Sequence, residues 1–258
     1  MGESHMFFYR REFDRLEQEA GKQASQTGLM NLHHRHPWIW ELVTHSNITD
    51  MVATLRGPDL LLLGTHFFCK QADFSEHFVA WHQDVTYWGL EPPKALTVWL
   101  AIDDADVENG CMRVIPGSHR GRLLPHGTAE TSGNLLSVNQ EIPRHLVEES
   151  RAVDLPLKSG WASIHDGLAI HGSNPNRSSR RRCGLTIRFT TPDVRQVSDV
   201  PGMGRWRPIL VHGQDRYGHF ELSAPPVAGA GGICSAMAPG RSADSVEMIP
   251  GVDFSVCS

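Results

Sequence analysis

Two histidines and one aspartate in this sequence have the types and the spacing of a metal-binding set. His82 and Asp84 are two positions apart, and side chains two positions apart on a strand point to the same face. His171 lies far along the chain, where a second strand can bring it to the same side. Two imidazoles and one carboxylate on one face of a metal form the facial triad of non-haem Fe(II), which leaves the opposite face open.

This pattern alone leaves other interpretations open. A single histidine is more often a hydrogen-bonded core or surface residue than a ligand. Zinc accepts the same ligand types, so spacing does not choose the metal. The surroundings favour a metal site, because His82 and Asp84 lie within an apolar strand pattern and the following strand ends in a strong turn signal at Pro116–Gly117.

The elements that must position these residues are predicted to be mainly strands. Apolar and aromatic runs separated by short clusters of Gly, Pro, Asn and Asp are typical of a sandwich or barrel. The runs predicted as strands are 60–68, 78–85, 94–102, 111–115, 152–157, 162–164, 168–171 and 183–191. Residues 1–56 are predicted to be mainly helical, with one helix over about 10–22 and two short helices over 36–55.

We predict a single domain over residues 1–258. Within it, residues 57–223 form the β core, and residues 224–258 form an irregular C-terminal tail. Residues 120–149 are an inserted loop with a helix near 143–149. Because insertions of this length often serve as lids or binding loops, we expect the choice of substrate to lie there.

Composition argues against several classes of function. The formal net charge of −5 argues against a general binder of nucleic acid, so the run Arg180–Arg182 needs a local explanation. No apolar run approaches the roughly 20 residues of a membrane span, and no signal-peptide pattern is present. The five cysteines are scattered and odd in number, which favours reduced thiols, and we expect a cytoplasmic protein.

Further motifs follow in a fixed order between about Gly57 and Arg195. They are Trp81–Asp84 with Tyr87–Trp88, then Thr97–Trp99, Asn109–His119, His171–Ser173, Asn176–Ser178 and Arg182. With these motifs, the sequence resembles the phytanoyl-CoA dioxygenase family of Fe(II)/2-oxoglutarate-dependent oxygenases. The resemblance implies a double-stranded β-helix, which is a mainly β jelly-roll (cupin-like) barrel with flanking helices.

The resemblance also implies roles for individual residues. His82, Asp84 and His171 correspond to the catalytic ligands of Fe(II). Arg182, eleven positions after His171, corresponds to the arginine that binds the distal carboxylate of the cosubstrate 2-oxoglutarate. The other residues predicted to line the cosubstrate are Ser173, Trp99, Thr97 and Lys70.

Substrate contacts are predicted from position along the chain. Tyr87 and Trp88 follow the metal-binding strand and can face the pocket, although aromatic residues there belong to the core at least as often. His126 and Gln140 lie on the inserted loop and are the other candidates, with ordinary loop polarity as the alternative.

Two neighbouring pairs compete with these assignments. The pair His165–Asp166 precedes the distal histidine, but we interpret it as a strand-end turn and not as a second metal site. The pair Arg180–Arg181 precedes Arg182, and we expect both residues to be solvated. Arg181 is kept as the alternative to Arg182 as the cosubstrate anchor.

The activity implied by the resemblance is oxidation of a small organic molecule by O2, with conversion of 2-oxoglutarate to succinate and CO2. Halogenases of related fold have a small residue at the carboxylate position, so Asp84 favours hydroxylation of an unactivated C–H bond. Desaturation, epoxidation and ring formation stay open. The alternatives are a non-catalytic metal-binding jelly roll acting as a sensor or scaffold, and a zinc hydrolase or isomerase. Neither alternative needs Arg182, so the oxygenase is favoured. The sequence does not indicate an oligomeric state.

Overall fold

The computed structural model describes residues 2–226, in which helices come first and strands follow. The α-helices are α1 (Glu3–Ala20), α2 (Lys22–Thr27), α3 (Pro37–Val43) and α4 (Ser46–Arg56). The strands are β1 (Leu60–Lys70), β2 (Val79–His82), β3 (Leu90–Glu91), β4 (Ala95–Ala101), β5 (Met112–Val114), β6 (Gly127–Thr128), β7 (Gln140–Glu141), β8 (Val153–Leu155), β9 (Ala162–Asp166), β10 (His171–Ser173), β11 (Arg182–Thr190), β12 (Arg195–Gln196) and β13 (Ile209–His212).

The helical flank forms because apolar residues recur at helical spacing. In α1 the buried residues are Met6, Tyr9, Phe13 and Leu16, which lie on one face of the helix. Gly21 ends α1 with a φ of 83°, a conformation that glycine adopts without strain. Within residues 2–56, four α-helices and one 3-10 turn account for most of the chain.

Two antiparallel sheets form the β core. The strand orders are β13-β1-β11-β4-β9 in the larger sheet and β2-β10-β5-β8 in the smaller one. Most hydrogen-bonded neighbours are far apart in sequence, as winding into a jelly roll requires. The predicted double-stranded β-helix with flanking helices is therefore confirmed.

The larger sheet separates a core from an interior cavity, as its central strand β11 shows. Alternate apolar side chains of β11 pack in one cluster with the buried faces of α1, α3 and α4: Cys183, Leu185, Ile187 and Phe189. The positions between them include three residues that line the cavity: Arg182, Thr186 and Arg188. The period of two along a strand therefore directs apolar residues to the core and polar residues to the cavity.

The inserted loop, residues 120–149, has little regular structure. β6 and β7 pair within it as a short hairpin. The predicted helix near 143–149 is wrong, because short 3-10 turns at Arg144–Leu146 and Glu149–Arg151 are separated by the extended backbone of Val147. Of the predicted tail 224–258, residues 227–258 lie outside the described residues, so that prediction stays a prediction.

The strand patterns also missed two later elements. β12 pairs with β3, and β13 extends the larger sheet beside β1. Between these two strands, residues 200–203 and Trp206 line the cavity. Among residues 2–226, no helix is long and apolar enough to cross a membrane.

Arg181 is not solvated as predicted, because it joins α1 to the barrel. Only 18% of its side chain is exposed, and its guanidinium forms ion pairs of 2.7–2.8 Å with three carboxylates: Asp14, Glu17 and Asp103. These partners occupy Arg181 outside the cavity, which removes it as the alternative to Arg182. Arg180 is exposed, as predicted.

Candidate active site

A cavity of about 340 Å³ lies between the two sheets. Strands β1, β4, β9 and β11 line it from the larger sheet, and β2, β5 and β10 line it from the smaller one. His82, Asp84, His171 and Arg182 all contribute to its walls. The predicted metal ligands and the predicted cosubstrate anchor therefore face one shared cavity.

His82, Asp84 and His171 meet at one part of this cavity. His82 ends β2 and His171 begins β10, and the two residues are direct partners in the antiparallel register. The Oδ1 atom of Asp84 lies 3.5 Å from Nε2 of His82 and 3.9 Å from Nε2 of His171. One ligand atom from each residue lies within 4.8 Å of the others, so the three residues can hold a metal ion together.

Hydrogen bonds set the tautomers of both imidazoles. His82 Nδ1 lies 2.9 Å from the carbonyl oxygen of Ala80, and His171 Nδ1 lies 2.9 Å from that of Ala169. Because a carbonyl oxygen accepts and cannot donate, each Nδ1 carries the hydrogen and each Nε2 of a neutral ring keeps its lone pair. Burial lowers the pKa of His171 well below its usual 6.5, which keeps that ring neutral. Both Nε2 atoms are therefore suited to bind a metal.

The second carboxylate oxygen of Asp84 is held by two neighbours. The Thr97 hydroxyl donates to Oδ2 at 2.6 Å, and His165 Nε2 lies 3.2 Å from the same atom. Burial alone would raise the pKa of Asp84, but the three surrounding imidazoles hold it well below its usual range. Thr97 lines the cavity as predicted, yet its hydroxyl hydrogen is already committed to Asp84.

Arg182 lines the same cavity and forms no ion pair with any acid among residues 2–226. It is 2% exposed, and its guanidinium lies over the Trp99 ring, 5.4 Å from the centroid. Its polar contacts, 3.2–3.5 Å long, are to neutral oxygens of Gly110, Phe68 and Ser173. Burial lowers the pKa of this guanidinium. Since a buried cation without a counter-ion is costly, this part of the cavity fits a bound anion.

Lys70 adds a second buried cation behind this part of the cavity. Its Nζ donates to Ser173 Oγ at 2.6 Å and to the carbonyl oxygens of Gly110 and Asn174. These acceptors use all three ammonium hydrogens, and Lys70 does not line the cavity. The structure thus gives Lys70 an indirect position instead of the predicted direct contact. Ser173 does line the cavity, and its own hydroxyl hydrogen is free to donate there.

Two glycines allow these side chains to come together. Gly110 has a φ of 77°, and a Cβ there would lie 2.3 Å from the carbonyl oxygen of Asn174. A Cβ on Gly184 would lie 2.1 Å from the Trp99 ring. Glycine at position 184 therefore lets the indole lie across β11 beside Arg182.

A family model covers most of the elements that build this site. The model of Phytanoyl-CoA dioxygenase (PhyH) matches residues 5–184, which is more than half of the chain. The chain belongs to the phytanoyl-CoA dioxygenase family. The match runs from α1 to the first residues of β11 and leaves out β12 and β13. His82, Asp84, His171 and Arg182 all lie within it.

Individual members of the family are similar over part of their length. A probable alpha-ketoglutarate-dependent hypophosphite dioxygenase of Stutzerimonas stutzeri is 25% identical over 184 residues, covering 71% of this chain and 64% of that protein. The peroxisomal phytanoyl-CoA dioxygenase of Homo sapiens is 28% identical over 170 residues, covering 64% of this chain and 49% of that protein. This chain thus spans about half to two thirds of these curated relatives.

A solved structure shares the barrel. The apo structure of the non-haem monooxygenase ThoJ has a TM-score of 0.68 and 31% sequence identity, with 86% of this chain and 79% of that chain covered. The similarity therefore extends beyond the metal-binding strands to most of the described fold.

Three of the four residues predicted to contact substrate line the cavity. Tyr87 and Trp88 do so from the turn after β2, and Gln140 does so from the inserted loop. Trp88 also packs edge-on against Trp206, so it belongs to the core as well. The Oε1 atom of Gln140 is buried and has no hydrogen-bond partner among the described residues, which leaves an acceptor for a ligand.

His126 is placed differently from its prediction. It does not line the cavity, and its Nε2 accepts the backbone N–H of Gln83 at 3.0 Å while its Nδ1 donates to the Leu124 carbonyl. Burial lowers the pKa of His126 to about 4, which keeps Nε2 available as an acceptor. His126 thus supports Gln83, the residue between two metal ligands, and the predicted substrate contact is corrected accordingly.

His165 is a site residue that the sequence interpretation missed. It lies in β9 and not in a strand-end turn, and its ring centroid lies 4.3 Å from that of His171. Its neighbour Asp166 points elsewhere and forms an ion pair with Arg56. Strand alternation was the available signal, because the apolar residues Ala162 and Ile164 share one face of the strand and His165 falls on the other.

Other missed residues also line the cavity. They include Met30, His66, Phe68, Arg188, residues 136–138 of the inserted loop, and residues 200–203 with Trp206. Arg188 had the same available signal as His165, because it stands six positions after Arg182 on the same face of β11. Residues 200–203 carried no such signal, because their position depends on contacts made far along the chain.

Proposed function

We propose that this protein is a 2-oxoglutarate-dependent non-haem iron oxygenase that hydroxylates an unactivated C–H bond of a small organic molecule. One observation carries the proposal. A single cavity contains an open-sided set of two histidines and one carboxylate and, apart from it, a buried arginine without an acidic partner in the described chain. The first feature suits Fe(II), and the second suits the distal carboxylate of 2-oxoglutarate.

Each residue has a defined task in this proposal. His82, Asp84 and His171 hold the iron from one side and leave the other side to ligands. Arg182 pairs with the distal carboxylate of 2-oxoglutarate, and the Ser173 hydroxyl donates a hydrogen bond to the same group. Iron with 2-oxoglutarate supplies the oxidising chemistry, in which O2 is consumed, C–H becomes C–OH, and 2-oxoglutarate becomes succinate and CO2.

Two features support hydroxylation as the outcome. Asp84 occupies the ligand position that would have to be small to admit a halide beside the metal. The walls on the substrate side are apolar, with Trp88, Leu136 and Met203 among the lining residues. Such walls keep bulk water from the reacting C–H bond.

The similar proteins support the proposed type of reaction, but they do not indicate which substrate this chain uses. Their names describe a hypophosphite dioxygenase, a phytanoyl-CoA dioxygenase and a non-haem monooxygenase. Substrates this different indicate that the shared residues serve the oxidation. The substrate of this chain is therefore argued from its own cavity.

The proposal can be tested without knowing the substrate. Purified protein is loaded with Fe(II) under anaerobic conditions, and 2-oxoglutarate is added while the visible absorption is followed. We expect the weak charge-transfer band of the iron chelate. If iron is bound and no band develops, the cosubstrate assignment is overturned.

Variants separate the two parts of the site. His171→Ala should lower the affinity for iron itself, measured by metal analysis after dialysis. Arg182→Gln should retain iron and lose the band at 2-oxoglutarate concentrations that saturate the wild type. Equal band titrations for Arg182→Gln and the wild type would contradict the role of Arg182.

Turnover distinguishes the remaining possibilities. After oxygen is admitted, succinate release across a panel of small molecules, with a product that has gained one oxygen atom, indicates hydroxylation. A product that has lost two hydrogens indicates desaturation or ring formation. Binding of iron and 2-oxoglutarate without succinate release, with any compound, indicates a sensor or scaffold.

We also propose that the protein acts in a reducing compartment such as the cytoplasm. The support is that Cys69, Cys111 and Cys183, the cysteines of the described residues, are buried and free. Immunodetection after cell fractionation tests this, and recovery in an oxidising compartment would contradict it.

A further inference from the structure

Arg188 is a second arginine on the cavity wall, on the same face of β11 as Arg182. The two residues are six positions apart, which is about 20 Å along a strand. In the sheet register, Arg188 lies beside Thr97 of β4, and Thr97 lies beside His165 of β9. Because Thr97 and His165 both contact Asp84, Arg188 stands at the metal-ligand end of the sheet, away from Arg182.

The guanidinium of Arg188 is turned to the cavity and is unpaired within the described part of the chain. Within residues 2–226 it forms no hydrogen bond or ion pair, and its Nε atom is buried without a partner. It lies over the ring of Trp88, 5.5 Å from the centroid. This stacking covers one face of the guanidinium and leaves the N–H edges free, and those edges are the donors that a planar anion uses.

No carboxylate forms an ion pair with Arg188 in the described chain; the charge of Asp84 acts on the guanidinium and favours its charged form, but burial outweighs it and lowers the pKa of Arg188. Asp84 is the one carboxylate among the cavity-lining residues of the described chain, and its oxygens are engaged with the histidines and a hydroxyl. His66 of β1 lines the cavity and donates from Nε2 to the Thr27 carbonyl at 2.6 Å. Burial, and then the charge of Arg188, lower the pKa of His66 to about 3, so this imidazole is neutral.

The bound cofactors would not neutralise Arg188 either. In the proposed function, Asp84 and the two carboxylates of 2-oxoglutarate balance the charges of Fe(II) and Arg182. Arg188 is then left uncompensated on the cavity wall, whereas Lys70, behind the wall, has all its ammonium hydrogens on neutral acceptors. In a low-dielectric cavity an uncompensated charge favours an anionic ligand.

The walls around Arg188 describe the rest of the ligand. Trp88 and Trp206 pack edge-on with ring centroids 6.0 Å apart, and both line the cavity. Val200, Pro201 and Met203 complete this side. A ligand that fits here has an apolar body and a single charged end.

We propose that Arg188 binds a carboxylate of the substrate, and that the substrate is a small organic acid whose apolar body lies against Trp88 and residues 200–203. A single guanidinium fork matches a planar carboxylate. Arg182 is the only other arginine or lysine lining the cavity in the described chain, and a phosphate, with its higher charge, would favour a second cation beside Arg188. This inference rests on the proposed function, because it assigns Arg182 to the cosubstrate.

The test measures binding to the protein loaded with Fe(II) and saturating 2-oxoglutarate, without oxygen. Isothermal calorimetry compares carboxylic acids with their primary amides in matched pairs, from acetate and acetamide up to indole-3-propionate and its amide. An amide has nearly the shape of its acid and lacks the charge. We expect at least one acid to bind about tenfold or more tightly than its amide, as loss of a charge-assisted hydrogen bond predicts.

Variants assign any preference to Arg188. Arg188→Gln should bring the acid down to the affinity of its amide while the 2-oxoglutarate band titration stays within about twofold of the wild type. Arg188→Lys keeps a charge without the planar fork, so it should retain part of the preference. Arg177→Gln changes an exposed arginine that does not line the cavity and serves as the matched control.

The outcomes separate the two proposals. If no acid binds more tightly than its amide, or if the preference survives in Arg188→Gln, the role of Arg188 is overturned. A stronger preference for the matching phosphonates over the carboxylates overturns the substrate class. If the wild type forms no chelate band, the proposed function itself fails, whatever the calorimetry shows.

Discussion

Arginines on the two sides of the β11 region differ in whether carboxylates surround their guanidinium groups. On the helix side, Arg181 is surrounded by three carboxylates and lies over the Phe13 ring. On the cavity side, the next residue, Arg182, is more deeply buried and has no carboxylate partner in the described chain, and Arg188 repeats this arrangement six positions later. The positive charge of arginine is therefore balanced by carboxylates of the protein on the helix side and is left without a carboxylate partner on the cavity side.

This difference separates a structural role from a binding role. Burying a guanidinium is costly, and acidic partners offset that cost within the folded chain. Where acidic partners are missing, the buried charge destabilises the unliganded protein. Binding of an anion removes this destabilisation. The comparison therefore predicts opposite effects for substitutions at adjacent positions, and four experiments test it.

The largest effect is expected for Arg182→Gln on the binding of 2-oxoglutarate. Truncating one partner of a buried charge pair costs several kcal/mol, so we expect the dissociation constant to rise about a thousandfold. Titration of the anaerobic iron protein, followed by the chelate band, measures this change. The unliganded variant should be at least as stable to urea as the wild type, because a costly buried charge has been removed.

Arg181→Gln should show the reverse behaviour. Loss of the guanidinium leaves the partly buried carboxylate of Glu17 without its cation and leaves Asp103 with only the longer ion pair to Arg10, which we expect to lower the free energy of unfolding by about 2 kcal/mol. Urea denaturation at pH 7 measures it, and the affinity for 2-oxoglutarate should stay unchanged. Arg207→Gln, which breaks an exposed ion pair with Glu221, is the matched control and should have little effect. Equal destabilisation in both variants would contradict a special role for the Arg181 cluster.

A smaller effect is expected from Thr97→Val, which removes a donor to Asp84 and keeps the shape of the side chain. Partners that orient a metal ligand typically change metal affinity by about tenfold or more. We therefore expect Fe(II) to bind about tenfold more weakly, measured by competition with a chelator. The part of the cavity around Arg182 should be unaffected once iron is saturating, and a loss of 2-oxoglutarate affinity at saturating iron would place Thr97 on the cosubstrate wall instead.

Local patterns predicted one part of this site well. The spacing of His82 and Asp84 and the alternation of β11 are properties of short segments, whereas the role of Arg182 was implied by the resemblance to the family. The structure brings these residues to one cavity. Alternation along β11 would also have identified Arg188. Strand alternation identifies His82, Asp84 and Arg188 because a strand fixes the direction of each side chain without reference to the rest of the fold.

The positions of Arg181, Lys70 and His126 depend on contacts between segments that are distant in sequence. Arg181 and Glu17 are 164 positions apart, and nothing near either residue indicates that they meet. Lys70 and Ser173 are 103 positions apart. Their hydrogen bond holds the lysine ammonium behind the cavity wall, so the ammonium does not reach the cavity. His126 turns toward the backbone of Gln83 for the same reason, since the path of the inserted loop is set by what it packs against.

The smallest expected effect concerns the pH dependence of the Arg181 cluster. Burial alone would raise the pKa of Glu17, but hydrogen bonds from Ser25 and Arg181 and the charge of Arg181 hold it below its usual 4.5. A carboxyl group whose pKa is lower in the folded state stabilises the protein above its unfolded pKa, and this contribution disappears as the pH falls through the folded pKa.

The stability difference between the wild type and Arg181→Gln should therefore be complete at pH 7 and shrink below about pH 4.5. We expect a decrease on the order of 1 kcal/mol, measured by urea denaturation of both proteins over this range. Arg182→Gln should show a much smaller trend, because no carboxylate forms an ion pair with Arg182 in the described chain, although the charge of Asp103 acts on it. A constant difference for Arg181→Gln down to strongly acidic pH would mean that Arg181 stabilises the junction by packing on Phe13, not through its charge.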